Sequence, residues 1–558
     1  MRNNNNKIIF AGVAMVIIFI ALIVIGICAK VTKHNIGGED FVSKYSLEEM
    51  LQKIQVKEGT PVKGSVNLGQ SSLYDELPEI DKYPLQVKGD ADIVLEVFSS
   101  GEKAGSNYES WLIDVANSFN NNHFTTQNGK SVAISVRQMS SGMGADYIIS
   151  NKYLPDLYTP SNELFGKYVE TNGGDLELVS PRLVGNTAGV LVDKNKGYKS
   201  IKEVADAVSN NQINLGYTNP QSSASGLNFL ISLLKNYDSA NMLSDGAAKK
   251  FAEFQNNIPF VAYTTMQMRD SAKNGTLDGM IMEYQTYINE EDLNGKYDFI
   301  PYGIRHDNPL YGVGSKINAS PDRKEAVQLF SDFCANDACQ KMASKKGFNN
   351  NEDYKSEYEV TGADITQALD LYKKNKDSGK DIIAVFIADC SGSMDGEPLR
   401  QLKESLANGA QYINENNMVG LISYSDDVTV ELPIAKFDLN QRAYFQGAID
   451  NLQAWGGTAS YDAVLVGVDM IKKAQEANPN AKVMLFLLSD GMANEGYMLD
   501  DIDGVLKNER VPVYTISYTE EADKEAMQAL SNVNEAASIN ADSDDIIYKI
   551  KSLFNSQM

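Results

Sequence analysis

Ile382-Ile383-Ala384-Val385-Phe386-Ile387-Ala388, running into Asp389-Cys390-Ser391-Gly392-Ser393, decides how this chain is read. An unbroken apolar run of this length bounded by turn residues is the signature of a parallel strand buried on both faces. The loop that leaves it carries one carboxylate and two hydroxyls at alternate positions, so their oxygens can converge on one hard cation. Magnesium takes oxygen ligands at about 2.1 Å in a near-octahedral shell and retains several waters. Asp-x-Ser-x-Ser supplies half such a shell. Gly456-Gly457-Thr458 and Ser489-Asp490-Gly491 supply further oxygens, the second of them after another apolar strand, Val483 to Leu488. Taken singly, Ser-Gly-Ser and Ser-Asp-Gly are ordinary turns. Two of the three pieces, however, cap predicted parallel strands, where open α/β sheets gather their ligands.

Together these residues resemble the metal-ion-dependent adhesion site of a von Willebrand factor A domain, over roughly residues 381–553. Carried over position by position, the resemblance implies Asp389, Ser391, Ser393, Thr458 and Asp490 as ligands of Mg2+ or Mn2+, with Asp490 acting through water. Cys390 falls between ligands and is expected to pack. The flanking pattern fits a doubly wound fold. Leu399 to Ile413, Ala443 to Leu452 and Ser460 to Glu476 read as helices, and Met418 to Tyr424, Val428 to Leu432 and Val511 to Tyr518 as strands. That alternation implies a largely parallel sheet covered on both faces.

At the other end, Ile8 to Ala29 is a run of 22 uncharged, mostly apolar residues, and about 20 span the hydrocarbon core. The run is long for a removable signal peptide and lacks an Ala-x-Ala exit. Cys28 follows Ile27 where a lipoprotein signal wants a small residue. An uncleaved transmembrane anchor is the preferred reading, with a cleaved signal as the alternative. Arg2 and Lys7 precede the run and Lys30 and Lys33 follow it, so charge alone does not orient it.

The formal charge is −24. So acidic a surface repels phosphate backbones, which argues against nucleic acid and anionic lipid surfaces as partners. Four cysteines in 558 residues exclude a disulfide-built scaffold. Cys334 and Cys339 are close enough in sequence to bridge or to remain two buried thiols.

From Asp92 the chain alternates strands with hydroxyl-rich turns. Ile93 to Phe98 ends in Ser99-Ser100-Gly101, and Val132 to Val136 leads to Met139-Ser140-Ser141-Gly142. Thr159-Pro160-Ser161 follows, and Ile213 to Tyr217 runs into Thr218-Asn219-Pro220-Gln221-Ser222-Ser223-Ala224-Ser225-Gly226. Small hydroxyls and free amides at helix starts can hold a polar solute without a charged side chain. In its order of elements, from about residue 91 to 350, this region is similar to a bacterial extracellular solute-binding protein. The similarity implies two lobes closing by hinge motion on a small polar solute or a peptide. It offers Ser99, Ser100, Ser140, Ser141, Thr159, Ser161, Thr218, Asn219, Ser223, Ser225, Glu283 and Tyr284 as contacts, Tyr284 as a lid residue.

The expected architecture is therefore α/β throughout: an N-terminal transmembrane helix (1–30), a stalk (31–90), a bilobed periplasmic-binding-protein-like domain (91–350), a linker helix (351–380) and a doubly wound A domain (381–558). His34, His123 and His306 have no metal-ligand spacing, no Gly-x-Ser-x-Gly elbow occurs near either resemblance, and Gly129-Lys130-Ser131 fails as a phosphate loop because Phe124 stands at its first glycine. The reading is of a non-catalytic, single-pass protein of a bacterial cell surface. Its A domain would ligate an acidic side chain of a protein partner through the metal. The alternative is a transport accessory that captures solute and uses the A domain to dock a permease or envelope partner.

Overall fold

The computed structural model describes residues 46–66, 72–258, 260–262, 265, 268–269, 277–375, 381–490, 493–517, 524–534 and 538–540. The expected membrane anchor lies outside the described residues. Among the described residues no helix is long and apolar enough to cross a membrane.

Among the described residues eighteen strands form three sheets. In chain order they are β1 (Val56–Glu58), β2 (Leu85–Val87), β3 (Ile93–Ser99), β4 (Val132–Gln138), β5 (Leu157–Thr159) and β6 (Leu176–Ser180). Next come β7 (Asn186–Asp193), β8 (Leu215–Thr218), β9 (Phe260–Ala262), β10 (Gly279–Glu283), β11 (Tyr297–His306) and β12 (Leu310–Val313). The last six are β13 (Ile382–Asp389), β14 (Met418–Tyr424), β15 (Val428–Lys436), β16 (Lys482–Ser489), β17 (Val513–Ser517) and β18 (Ser538–Asn540).

The first lobe is a six-stranded sheet in the order β2-β4-β3-β5-β12-β6, and the second a five-stranded sheet in the order β11-β7-β10-β8-β9. The chain crosses between lobes from β6 to β7 and returns from β11 to β12, which makes the paired-crossing hinge of a two-lobed binding fold. Alternation of strand and amphipathic helix drives each lobe. In the helix Trp111–Asn121, for example, Trp111, Leu112, Val115 and Phe119 are all buried, at the three- and four-residue spacing of one helix face.

The third sheet has the order β1-β15-β14-β13-β16-β17-β18. β13 is buried along its whole length and pairs in parallel with β14 on one side and β16 on the other. Phe386, Phe486 and Tyr514 lie in register across β13, β16 and β17 and stack at 4.9 and 5.2 Å. β15 runs antiparallel to β14. The strand order reverses at β13, so a crevice opens at its carboxyl end, where the Asp389 loop begins.

Two segments differ from expectation. Residues 46–66 and 72–90, within the expected stalk of 31–90, are folded onto both neighbours. Met50 is fully buried, β1 pairs in parallel with β15 and so adds an edge strand to the third sheet, and Gly64 N donates to Ala443 O at 2.8 Å. Further on, Pro78 and Ile80 carbonyls accept from Tyr147 Oη and Arg137, at 2.7 and 3.0 Å, on the first lobe. The helix Gly362–Asn375, read as a spacer, buries Ile365, Ala368, Leu369 and Tyr372. It packs on the helix Glu163–Thr171 of the first lobe and on Ala224–Tyr237 and Asp245–Gln255 of the second. Asn172 Nδ2 donates to Thr366 Oγ1 at 3.2 Å, and the Tyr372 and Phe251 rings lie 6.2 Å apart. Its apolar stripe was legible; the two lobes that cover it were not. Cys334, Cys339 and Cys390 are free, buried thiols.

Candidate functional site

At the end of β13 the Asp389 side chain is fully buried. Its Oδ1 accepts from Ser391 N at 2.8 Å, and its Oδ2 from Tyr424 Oη at 2.8 Å and Ser489 Oγ at 2.5 Å. These donors fix the carboxylate's orientation. Ser391 Oγ lies 3.0 Å from Ser393 Oγ, which in turn donates to Asp490 Oδ1 at 2.9 Å. Four of the expected oxygens thus share one loop cluster. Thr458, the fifth expected residue, sits on a segment held at three points. Gly392 N donates to Gly456 O at 3.0 Å, Trp455 N to Cys390 O at 2.9 Å and Ala459 N to Ser425 O at 2.9 Å. Thr458 N donates to Asn494 Oδ1 at 2.8 Å, and Thr458 O accepts from Asn494 N at 3.1 Å.

The electrostatics are those of two carboxylates brought together. Burial, and after it the charge of Asp389, raises the Asp490 carboxyl above its usual range. Burial and the same carboxylate raise the Tyr424 phenol well above its ordinary value. Burial pushes the Cys390 thiol up to about 12, so it is no thiolate ligand at neutral pH. Among the described residues no group of three or more His, Cys, Asp or Glu could hold a metal. Two carboxylates and three hydroxyls, all oxygen donors, fit a hard cation that keeps water in its shell better than a soft one. Trp455, beside this loop, is 49 % exposed, with Lys57 Nζ 5.5 Å above its ring.

The second candidate site is a cavity of about 330 Å³ where the lobes meet. Of the expected contacts, Ser100, Ser140, Ser141, Ser161, Ser223, Ser225 and Glu283 line it. Ser99, Thr159, Thr218, Asn219 and Tyr284 do not. Ser99 Oγ donates to Ser100 O, Thr218 Oγ1 to Ser223 Oγ, and Asn219 Oδ1 accepts from Gln221 N, so these three build the turns. Tyr284 packs edge-on against Phe299 at 4.9 Å and against Tyr287, as an aromatic cluster rather than a lid. Glu102, Gln138, Met139, Met143, Thr265 and the Tyr83-Pro84-Gln86 segment also line the cavity. Glu102 stood in view beside Ser100-Gly101, whereas Tyr83 to Gln86 lay in the supposed stalk.

Charge at this cavity is concentrated. Burial opposes ionisation of Glu102, but the Lys103 ammonium and the Ser100 hydroxyl overcome it and hold the carboxyl below its usual range. Lys103 is itself fully buried, and burial draws its ammonium down despite Glu102. Outside the lining, Tyr108 Oη donates to Glu290 at 2.6 Å and Arg269 pairs with Glu109 at 2.9 Å, contacts that cross from lobe to lobe. Gly142 N also donates across, to Ser222 O at 2.9 Å. The lobes are closed on each other.

Residues 384–554 match the model of the von Willebrand factor type A domain, and residues 104–349 that of the bacterial extracellular solute-binding protein. Over 119 residues the chain is 29 % identical to inter-alpha-trypsin inhibitor heavy chain H3 of Bos taurus, spanning 20 % of this chain and only 13 % of that protein. Among solved structures it is similar to a von Willebrand factor type A protein from Catenulispora acidiphila, at 18 % identity, TM-score 0.29, 32 % of this chain and 43 % of that one. It is also similar to the sulfate-binding protein SubI of Mycobacterium tuberculosis, at 15 % identity, TM-score 0.35, 51 % of this chain and 91 % of that one. The chain thus carries a solute-binding-like domain followed by an A domain. Both families are binding and adhesion domains rather than enzymes.

Proposed function

We propose that the protein is a membrane-anchored extracellular binding protein whose A domain ligates a partner carboxylate through Mg2+ or Mn2+, while its two lobes hold a small polar solute or peptide. One observation carries the first half. Ser391 Oγ, Ser393 Oγ and Asp490 Oδ1 form a chain of oxygens 3.0 and 2.9 Å apart, beside the Asp389 carboxylate. Asp389, Ser391, Ser393, Thr458 and Asp490 would hold the ion, which when bound would offer a position to an incoming carboxylate. The exposed Trp455 ring beside the loop supports an interface there, since half-exposed aromatic side chains anchor protein contacts. The solute-binding match supports an extracellular or periplasmic location, and Ile8 to Ala29 would serve as the anchor.

Calorimetric titration of the full chain with magnesium tests the reading. Heat of binding is expected from the native chain and none from Asp389→Ala or Ser391→Ala. Equal heats from all three would end it.

The cavity between the lobes favours a second reading, a transport accessory in which the A domain only docks a permease. Solute binding would then persist in Asp389→Ala, and capture of an acidic protein partner would not depend on magnesium.

A further inference from the structure

Glu283 ends β10 and lines the cavity between the lobes, almost wholly buried. Its two oxygens are treated unequally. Oε1 accepts from Ser225 Oγ at 2.5 Å and faces His306 Nδ1 at 2.9 Å, whereas Oε2 has no hydrogen-bond partner among the described residues. A buried carboxylate oxygen without a donor costs more than a made hydrogen bond returns, so it calls for a partner from outside the chain.

Whether His306 neutralises that carboxylate is settled by its other nitrogen. Nε2 lies 2.9 Å from Asn162 Nδ2 and 3.2 Å from Asn228 Nδ2. Both amides are fixed in orientation. Asn162 Oδ1 accepts from Leu164 N at 3.0 Å, and Asn228 Oδ1 from Ile304 N at 3.0 Å and Tyr358 Oη at 2.6 Å. Two amide N–H groups therefore point at Nε2, which must accept, and the network assigns the ring proton to Nδ1. The imidazole is neutral. It gives Glu283 a hydrogen bond and no charge.

Lys103 is then the cation set against two carboxylates, and it bonds to Glu102 at 3.3 Å and to Ser100 Oγ. Arg269, outside the lining, is paired with Glu109. Among the described residues, Glu283 is thus a cavity carboxyl with no cation of its own. Met139, Met143, Tyr83 and Pro84 give the lining an apolar share, and a volume of about 330 Å³ falls at the small end of ligand sites.

We infer that the cleft selects a small organic monocation, an amine with an apolar body whose N–H donates to Glu283 Oε2, and that it rejects inorganic and organic anions. The inference rests on the solute-receptor reading of the two lobes and names the chemistry of their ligand. An ammonium satisfies the orphan oxygen and the surplus charge together, whereas an anion would meet two carboxylates.

Probes of similar skeleton and different charge test it: n-butylammonium, phenethylammonium, 2-phenylethanol, phenylacetate and sulfate, each titrated at millimolar concentration into the full chain by calorimetry. At least one amine is expected to bind, the alcohol more weakly, and the two anions not at all. Glu283→Gln should weaken the amine by at least about tenfold. The same change should raise the Tm of the ligand-free protein, because the amide keeps Oε1's bonds and removes the surplus charge. If phenylacetate or sulfate binds more tightly than either amine, the charge assignment falls and the receptor reading stands. If no amine binds, the proposal fails, and if no probe of any charge binds, the receptor reading fails with it. A lower Tm in Glu283→Gln would also overturn the surplus-charge argument, independently of any ligand.

Discussion

Asp490→Asn should act in opposite directions with and without a divalent cation. In the cation-free protein the Asp490 carboxyl is held above its usual range, first by burial and then by Asp389. A neutral amide removes that repulsion, and its oxygen still accepts from Ser393, 2.9 Å away. The cation-free Tm is therefore expected to stay level or rise. Magnesium at about one hundred times its dissociation constant would add about 2.7 kcal/mol to the native chain. In a domain of about 150–250 residues that is a rise of about 5–11 °C. Loss of a charged oxygen ligand, worth about 2 kcal/mol, weakens binding by about thirtyfold and leaves an increment of less than about 1 kcal/mol, or about 2–4 °C. Differential scanning calorimetry of both chains, in EDTA and in magnesium, reads all four values. An increment in the variant equal to that of the native chain would refute the assignment of Asp490 to the ion.

Three further outcomes are expected. Glu109, between the lobes, has its carboxyl raised to about 7 from 4.5, mainly by burial and against the pull of Arg269, with Glu102 and Glu290 adding to the rise. The folded state then holds the extra proton between those values, so stability should fall as pH rises from about 4.5 to about 7 and level off above it. The span is on the order of 3 kcal/mol, and urea denaturation at pH 5 and pH 8 should show a smaller slope in Glu109→Gln. Tyr424→Phe takes one of two donors from the buried Asp389 Oδ2 and should cost about 1.5–3 kcal/mol in urea denaturation; an unchanged midpoint would mean that Asp389 is held elsewhere. Gly142→Ala would place a methyl 2.0 Å from the Gln221 carbonyl across the cleft. Solution scattering should therefore report a larger radius of gyration than for the native chain, and an identical one would show that the lobes do not close there.

What was legible in the sequence was whatever local chemistry forces. β13 and β16 are continuous apolar runs because both faces are covered, and the oxygens of Asp389, Ser391, Ser393 and Asp490 follow those runs directly. The serines that line the cavity could be read for the same reason, since each stands at a helix start after a strand. What stayed hidden depends on the third dimension. Val56-Lys57-Glu58 has no period to declare it a strand, and pairing with β15 alone makes it one. Glu283 was visible as a strand end, but its neutral partner His306 lies on β11 and meets it only across β7. Tyr284 was misread because a tyrosine after a carboxylate looks like a ligand contact, whereas the Phe299 ring offers it a better surface.

The place of β1 in the third sheet changes what counts as a domain here. The chain enters that sheet at Val56, departs to build both lobes, and comes back to it at Ile382. The two-lobed domain is thus nested inside the A domain, not strung ahead of it. A piece cut to begin at residue 381 would lack an edge strand and leave β15 bare, a template for unwanted pairing. Nesting also fastens the lobes at two points, which forbids the free swivelling that a single tether would allow.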